Sequence, residues 1–550
     1  MTKTLLAALL LTTGLAAPIQ AEDKSMQPIA GDPVATTSGR VAGTQLGSGV
    51  KAYLGIPFAE PPVGQLRWAP PQPTRWSGIF NADRFGPECI QVLRPHDINH
   101  YFGEVPSGED CLSLNIWAPA DAHEGDGRPV IVFIYGGGFT IGASAMANYS
   151  GEAMARRGAV FVNFNYRVGA LGFLAHPELT AEQGGTSGNY GTMDQTAALQ
   201  WVHDNIARFG GDPAKVVIMG QSAGARSVAT QMFAPAARGL FRAAVMSSGC
   251  NLRSAAATLA QAEQVGLQFQ QALGASGLAA MRNVPADRIL AAQAENQLGL
   301  SVAGVRLSGP IIDGKVLPAQ LPEMLASGNF AHVPVVASYN SDDIATNFGP
   351  LLGARTLAEY ASAARTMFGA NADAFLAHYA PASEAAVRDM ARRAASDGGF
   401  AANARDCAMD LAGQGVPTFI DEYTRKHPYV PGVTFADQDP VTVGAYHTAD
   451  IPYWFGTQDA YNWQRPTRNW TQWDRTLSTR MMDALLALAN TGSPDTAAMP
   501  WRAWSPANDT YLRLGDDVST RAFDTAGIQW LATNPPAAAP RPAGPSTPRD

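Results

Sequence analysis

The 550-residue chain contains no run of five or six like charges. Its charged residues make up 16%, with a formal net charge of −8. A nucleic-acid-binding surface built from a basic stripe is therefore excluded as a leading reading. Outside the first twenty-odd residues there is no apolar run long enough to cross a bilayer. Histidines are few, nine in all, and none follows a metal-binding spacing such as His-Glu-x-x-His, so nothing calls for a metal or an organic cofactor. No internal repeat is evident. Cysteine is scarce, with four residues: Cys89, Cys111, Cys250 and Cys407. No cysteine precedes Cys89, which disfavours a lipid-attached N-terminus.

Apolar material is ample: hydrophobic residues are 46% of the chain, enough for a large core. Lys3, the apolar stretch Leu5 to Ala17, and Ala21 before Glu22-Asp23-Lys24 read as a signal peptide, cleaved after Ala21 or Ala17. The run is short for a membrane anchor, the competing reading. Export to the periplasm or the medium permits disulfides. Four cysteines admit three pairings. Cys89 with Cys111, which closes a short loop, is preferred, while Cys250 and Cys407 stay open between a bond and free thiols. The expected organisation is a leader over 1–21, one body over 22–533, and a Pro/Ala-rich disordered tail over 534–550.

Within the body, apolar β-branched runs at Val130–Ile134, 159–162, 216–219 and 243–246 suit strands buried on both faces of a parallel sheet. Further strands are expected at 333–338 and 418–423. Helical spacing over 194–208 and after 225 alternates with these runs, which predicts a doubly wound α/β fold. The Ala-rich stretches 251–330 and 350–410 read as helical insertions covering one face of it.

Gly220-Gln221-Ser222-Ala223-Gly224 matches the G-x-S-x-G pattern in its required setting, a buried strand before and a helix after. A sharp strand-to-helix turn there lifts a serine hydroxyl clear of the sheet and aims helix N–H groups at a forming oxyanion. Such a hydroxyl needs a base within hydrogen-bond reach and an acid to orient that base. His378, His427 and His447 follow the acid region in the chain order this fold uses. His378 lies in a helical stretch and His427 in a charged one, so both read as surface residues. His447 lies in a glycine-led loop. Either Asp342 or Asp343, at the end of the 333–338 strand, is placed to serve as the acid. The glycines after Ile134 let backbone N–H groups turn into a pocket.

At these residues the sequence resembles the type-B carboxylesterase family, which includes carboxylesterases, cholinesterases and some fungal lipases. The likeness extends to Leu54-Gly-Ile-Pro-Phe-Ala-Glu-Pro-Pro-Val-Gly64 with Leu66-Arg67-Trp68, to Glu109-Asp-Cys-Leu-Ser-Leu-Asn115, to Gly188-Asn-Tyr-Gly191 and to Phe209-Gly-Gly-Asp-Pro213. The resemblance implies an α/β-hydrolase fold, with a mostly parallel central sheet and helical insertions over the active site. It implies serine ester hydrolysis by Ser222, His447 and Asp343 through an acyl-enzyme, on a small-molecule ester. The oxyanion donors it implies are the N–H groups of Gly137, Gly138 and Ala223. It places the family's early disulfide on Cys89 and Cys111 and a supporting serine at Ser248. Two departures stand out. The family usually has Glu where this chain has Asp343, and many members carry Glu where it has Gln221. The segment 90–110 has no Trp to stack a quaternary ammonium group, so a choline ester is a poor candidate. Rival readings are a non-catalytic adhesion module on the same fold, and an acyltransferase or amidase using the same residues.

Overall fold

The structure, a computed structural model, describes residues 26–296, 307–343 and 346–537. The expected leader and most of the expected tail lie outside the described residues. Asn534 and Ala537 are described and still bond to the body, Ala537 N–H donating to Met367 O at 2.9 Å.

Twelve strands form one sheet. In chain order they are β1 (Gln27–Pro28), β2 (Thr44–Gln45), β3 (Lys51–Pro57), β4 (Ser113–Ala118), β5 (Arg128–Ile134), β6 (Val160–Phe164), β7 (Gly211–Gln221), β8 (Ala243–Ser247), β9 (Val335–Asn340), β10 (Thr418–Tyr423), β11 (Thr510–Leu514) and β12 (Val518–Ala522). Their spatial order is β1-β2-β3-β4-β6-β5-β7-β8-β9-β10-β11-β12. From β6 through β11 every neighbouring pair is parallel, and the flanking pairs are antiparallel. The residues of β6, β8 and β9 are all buried, as the continuous apolar runs require of strands covered on both faces. With its mostly parallel sheet and crossover helices, this is the α/β-hydrolase arrangement.

The expected strands at 130–134, 159–162, 216–219, 243–246 and 418–423 are present, most with longer bounds. The expected strand at 333–338 runs instead from Val335 to Asn340, because Pro334 has no N–H for the ladder. The flanking antiparallel strands were not read from sequence. β4 carries Ser113 and Asn115, which mask its apolar pattern. Asn115 is nonetheless buried and satisfied: its Oδ1 accepts the Gly55 N–H at 2.8 Å, and its Nδ2 donates to Asn163 Oδ1 at 2.8 Å. Two signature segments are thereby joined. Arg67 and Glu109 join them again by a two-pronged pair at 2.7 and 2.6 Å.

The helical insertions have cores of their own. Leu171, Tyr190, Val265 and Phe269 gather around Trp68 under helices Leu259–Ala272, Leu278–Arg282 and Ala286–Asn296. Tyr360, Phe368 and Phe375 gather with Leu531 among helices Leu357–Phe368, Ala372–Tyr379 and Val387–Asp397. Cys89 pairs with Cys111, and Cys250 pairs with Cys407, which settles the open pair as a bond. No helix among the described residues is long and apolar enough to cross a membrane.

Candidate active site

Strand β7 runs directly into helix Ala223–Phe233, and Ser222 is the hinge between them, with φ 59° and ψ −122°. A non-glycine residue there is strained, and surrounding structure must hold it. Part of that hold is the Ser222 N–H, which donates to Ser247 O at 2.8 Å. The motif glycines answer to close approach. A Cβ on Gly220 would fall 2.1 Å from Gly224 O, and one on Gly224 would fall 2.0 Å from Ile134 O. The turn is that tight only without side chains at either position. It leaves the Ser222 hydroxyl in a cavity of 430 Å³, which Gly137, Gly138 and His447 also line.

His447 Nε2 is 2.7 Å from Ser222 Oγ, and His447 Nδ1 is hydrogen-bonded to Asp343 Oδ1. A carboxylate only accepts, so the ring proton belongs on Nδ1. Nε2 is then free to take the serine proton. Asp343 is held in turn. Its Oδ2 accepts from Ser248 Oγ at 2.8 Å and from Asn340 N–H at 2.9 Å. Ser248 itself has φ 53°, a second strained residue directed at the site.

Asp342 faces the other way. Its Oδ2 accepts the Ala445 N–H at 2.8 Å, and its Oδ1 is paired with Arg392. The two neighbouring carboxylates thus serve one loop, Asp343 through the imidazole and Asp342 through the backbone two residues before it. Gly444 is glycine because a Cβ there would lie 2.1 Å from Asp342 Oδ2.

The glycine loop after β5 has φ 104° at Gly137 and 63° at Gly138. A Cβ on Gly137 would lie 2.2 Å from Ile141 O. Ala223 opens the helix after Ser222, where N–H groups have no partner inside the helix.

Several contributors carry no signal in sequence. Asp450 is fully buried; burial pushes its carboxyl up to about 6 against the bonds from Ser247 and Asn340, and the nearby Asp343 charge adds to the rise. Ser247 Oγ donates to Asp450 Oδ2 at 2.6 Å, and Asn340 Nδ2 donates to Tyr446 O at 2.7 Å. Gln221 Nε2 donates to His447 O at 2.6 Å, a bond that glutamate's carboxylate has no hydrogen to make. His427 corrects the expectation of a surface residue. It is 2% exposed, and its Nε2 donates to Ala449 O at 2.8 Å. Burial, then the Arg468 charge, pulls its pKa down to about 3, so it supports the His447 loop as a neutral ring. The charged segment around it misleads because Arg425 turns away to Asp474. His378 packs on Trp530 in its helix.

The model of the carboxylesterase family matches residues 31–528. The chain belongs to the carboxylesterase family. It is 38% identical over 423 residues to fumonisin B1 esterase of Sphingopyxis macrogoltabida, covering 76% of this chain and 74% of that one. It is 31% identical over 518 residues to an acylcarnitine hydrolase of Mus musculus, covering 89% and 88% of the two chains. Among solved structures it resembles a PNB esterase, with a TM-score of 0.70, 29% identity, and coverage of 92% of this chain and 99% of that one. This carboxylesterase-family chain is accordingly an ester hydrolase, and its substrates are small-molecule esters. Within the family's frame, Asp343 meets His447 although it is one methylene shorter than the usual glutamate.

Proposed function

We propose that Ser222, His447 and Asp343 hydrolyse carboxylic esters through an acyl-enzyme. The observation that carries this reading is the 2.7 Å approach of His447 Nε2 to the Ser222 hydroxyl. Ser222 Oγ attacks the ester carbonyl carbon while Nε2 takes its proton. Asp343 keeps the ring in the correct tautomer and stabilises the imidazolium. The carbonyl oxygen, now an anion, is met by the N–H groups of Gly137, Gly138 and Ala223, each such donor typically contributing ~3–4 kcal/mol. The imidazolium returns its proton to the leaving alcohol as the C–O bond breaks. Water, deprotonated by His447, then attacks the acyl-Ser222 carbonyl, and the carboxylic acid leaves as the serine recovers its proton.

A series of p-nitrophenyl esters of increasing chain length, with Ser222→Ala alongside, tests the reading. Turnover of the parent and loss of at least ~10⁴-fold in Ser222→Ala are expected. Undiminished turnover in that variant overturns it.

We further propose export to the periplasm or the medium after removal of residues 1–21, with residues 22–533 as the catalytic body. The paired cysteines support this, since disulfides persist in oxidising compartments. N-terminal sequencing of the protein recovered outside the cytoplasm checks the cleavage point; an N-terminus still at Met1 overturns it.

A further inference from the structure

A second cavity, of 470 Å³, lies against the first, and the two share His96, Asn99, His447 and Thr448 as a common wall. It is unlike the first in charge. Arg355, Arg388 and Arg392 line it, with Asp342, Asp343 and Asp437 as its carboxylates.

Those carboxylates are already engaged. Asp342 holds Arg392 and the Ala445 N–H, and Asp343 holds His447. Asp437 Oδ1 accepts the Ile98 N–H at 3.0 Å, and its Oδ2 lies 3.9 Å from His96 Nδ1. The cations are not all matched. Arg355 bonds through Nη1 to the backbone carbonyls of Leu352, Gly353 and Ala354, and Glu359, whose carboxylate accepts the Arg355 N–H at 2.7 Å, lies within range of its charge. The side chain of Arg388, a half-buried residue, makes no hydrogen bond or ion pair among the described residues. Lys426 stands close enough to Arg388 and Arg392 for their charges to oppose its own, after burial, and its Nζ bonds only to Val441 O at 3.0 Å. Asp439, also near Arg388, is occupied in its own turn with Val441 N–H and the Thr442 hydroxyl. Three arginines thus face three aspartates across the lining, a formal balance unlike the −8 of the whole chain, and the guanidinium of Arg388 is the cation left without a direct partner among the described residues. The first cavity adds no opposing carboxylate, since its described lining includes Arg94 and His96 but no Asp or Glu.

Resting on the proposed ester hydrolysis, we propose that this second cavity is a subsite for a carboxylate carried by the ester substrate, with Arg388 as its principal partner. The ester carbonyl sits at Ser222, the chain passes the shared wall at His96 and Thr448, and the distal carboxylate meets Arg388. The enzyme is then selective for esters whose acyl or alcohol part bears a free acid. A guanidinium matches a carboxylate with paired N–H donors, which makes Arg388 suited to this task.

Two matched pairs of substrates test it. On the acyl side, the mono-4-nitrophenyl ester of adipic acid is compared with its methyl-capped form. On the alcohol side, 4-carboxyphenyl butyrate is compared with its methyl ester, following butyrate release from the phenol. In at least one pair the parent is expected to favour the free acid in kcat/KM by about tenfold or more, the factor of one charge-assisted hydrogen bond. That ratio should fall as NaCl is raised, because exposed charges are screened. It should drop towards one in Arg388→Gln and below one in Arg388→Glu. Being a ratio, it is indifferent to loss of folded enzyme, and the salt series on the parent decides if neither variant folds. Ratios near one in both pairs overturn the proposal, as does a preference that neither salt nor Arg388 substitution moves. Failure of the parent on all four esters instead overturns the hydrolytic reading on which the subsite rests.

Discussion

Gln221, the residue beside the serine, donates from its amide nitrogen to the backbone carbonyl of His447 at 2.6 Å. The bond ties the strand end that carries Ser222 to the loop that carries the imidazole, so the two reacting side chains share a brace. Its energy acts on where Nε2 sits.

Gln221→Ala is therefore expected to lower kcat about fivefold, the equivalent of ~1 kcal/mol, with KM and thermal midpoint little changed. Gln221→Glu removes the same bond and adds a negative charge near the imidazole. A neighbouring anion favours the protonated ring, so the acid limb of kcat/KM moves to higher pH. Steady-state kinetics from pH 5 to 9 on both variants check this. An unshifted limb in Gln221→Glu counts against the placement of that side chain.

Asp342 and Asp343 are adjacent in sequence and divided in task. Asp343→Asn leaves the imidazole in the wrong tautomer and should lower kcat by ~10⁴-fold. Asp342→Asn weakens the hold on Ala445 and breaks the pair with Arg392, and should lower kcat by only about tenfold, with a stability loss of ~1–2 kcal/mol. Kinetics of the two variants side by side, with denaturant melts, separate the tasks. Equal losses in kcat would erase the distinction.

His427 imposes an acid sensitivity on the fold. Its folded pKa is depressed to about 3, from an ordinary 6.5. Below pH 6.5 the unfolded chain takes up a proton there that the folded protein refuses, so stability falls as pH drops from 6.5 towards 3. At pH 5 the loss amounts to ~2 kcal/mol. His427→Gln keeps a donor for Ala449 O and does not titrate. Its melting temperature should fall less than the parent's between pH 7 and 5, as measured by scanning calorimetry or fluorimetry; parallel curves would show that His427 is not the group responsible.

Strand after strand in the middle of the sheet was legible because both faces are buried, which makes each a run of apolar residues. The antiparallel flank was not: its strand β4 is interrupted by Ser113 and Asn115, and Asn115 is satisfied by Gly55 and Asn163 of the neighbouring strands. The serine motif was legible because a tight turn demands glycines at fixed positions. Choosing between Asp342 and Asp343 was not possible from residue chemistry, since both are carboxylates at one strand end.

Local sequence thus determined the elements, the serine turn and the chemical kinds of residue the site required, because backbone geometry and burial impose their demands over a few neighbouring positions. Tertiary structure alone decided that Asp343 faces the imidazole while Asp342 grips the loop, that Gln221 reaches His447 O, that Asp450 sits buried beneath the site, and that arginines from the second helical insertion line a cavity that His447 borders. Those relationships join residues more than fifty positions apart, and side-chain direction across such distances follows only once the sheet is assembled.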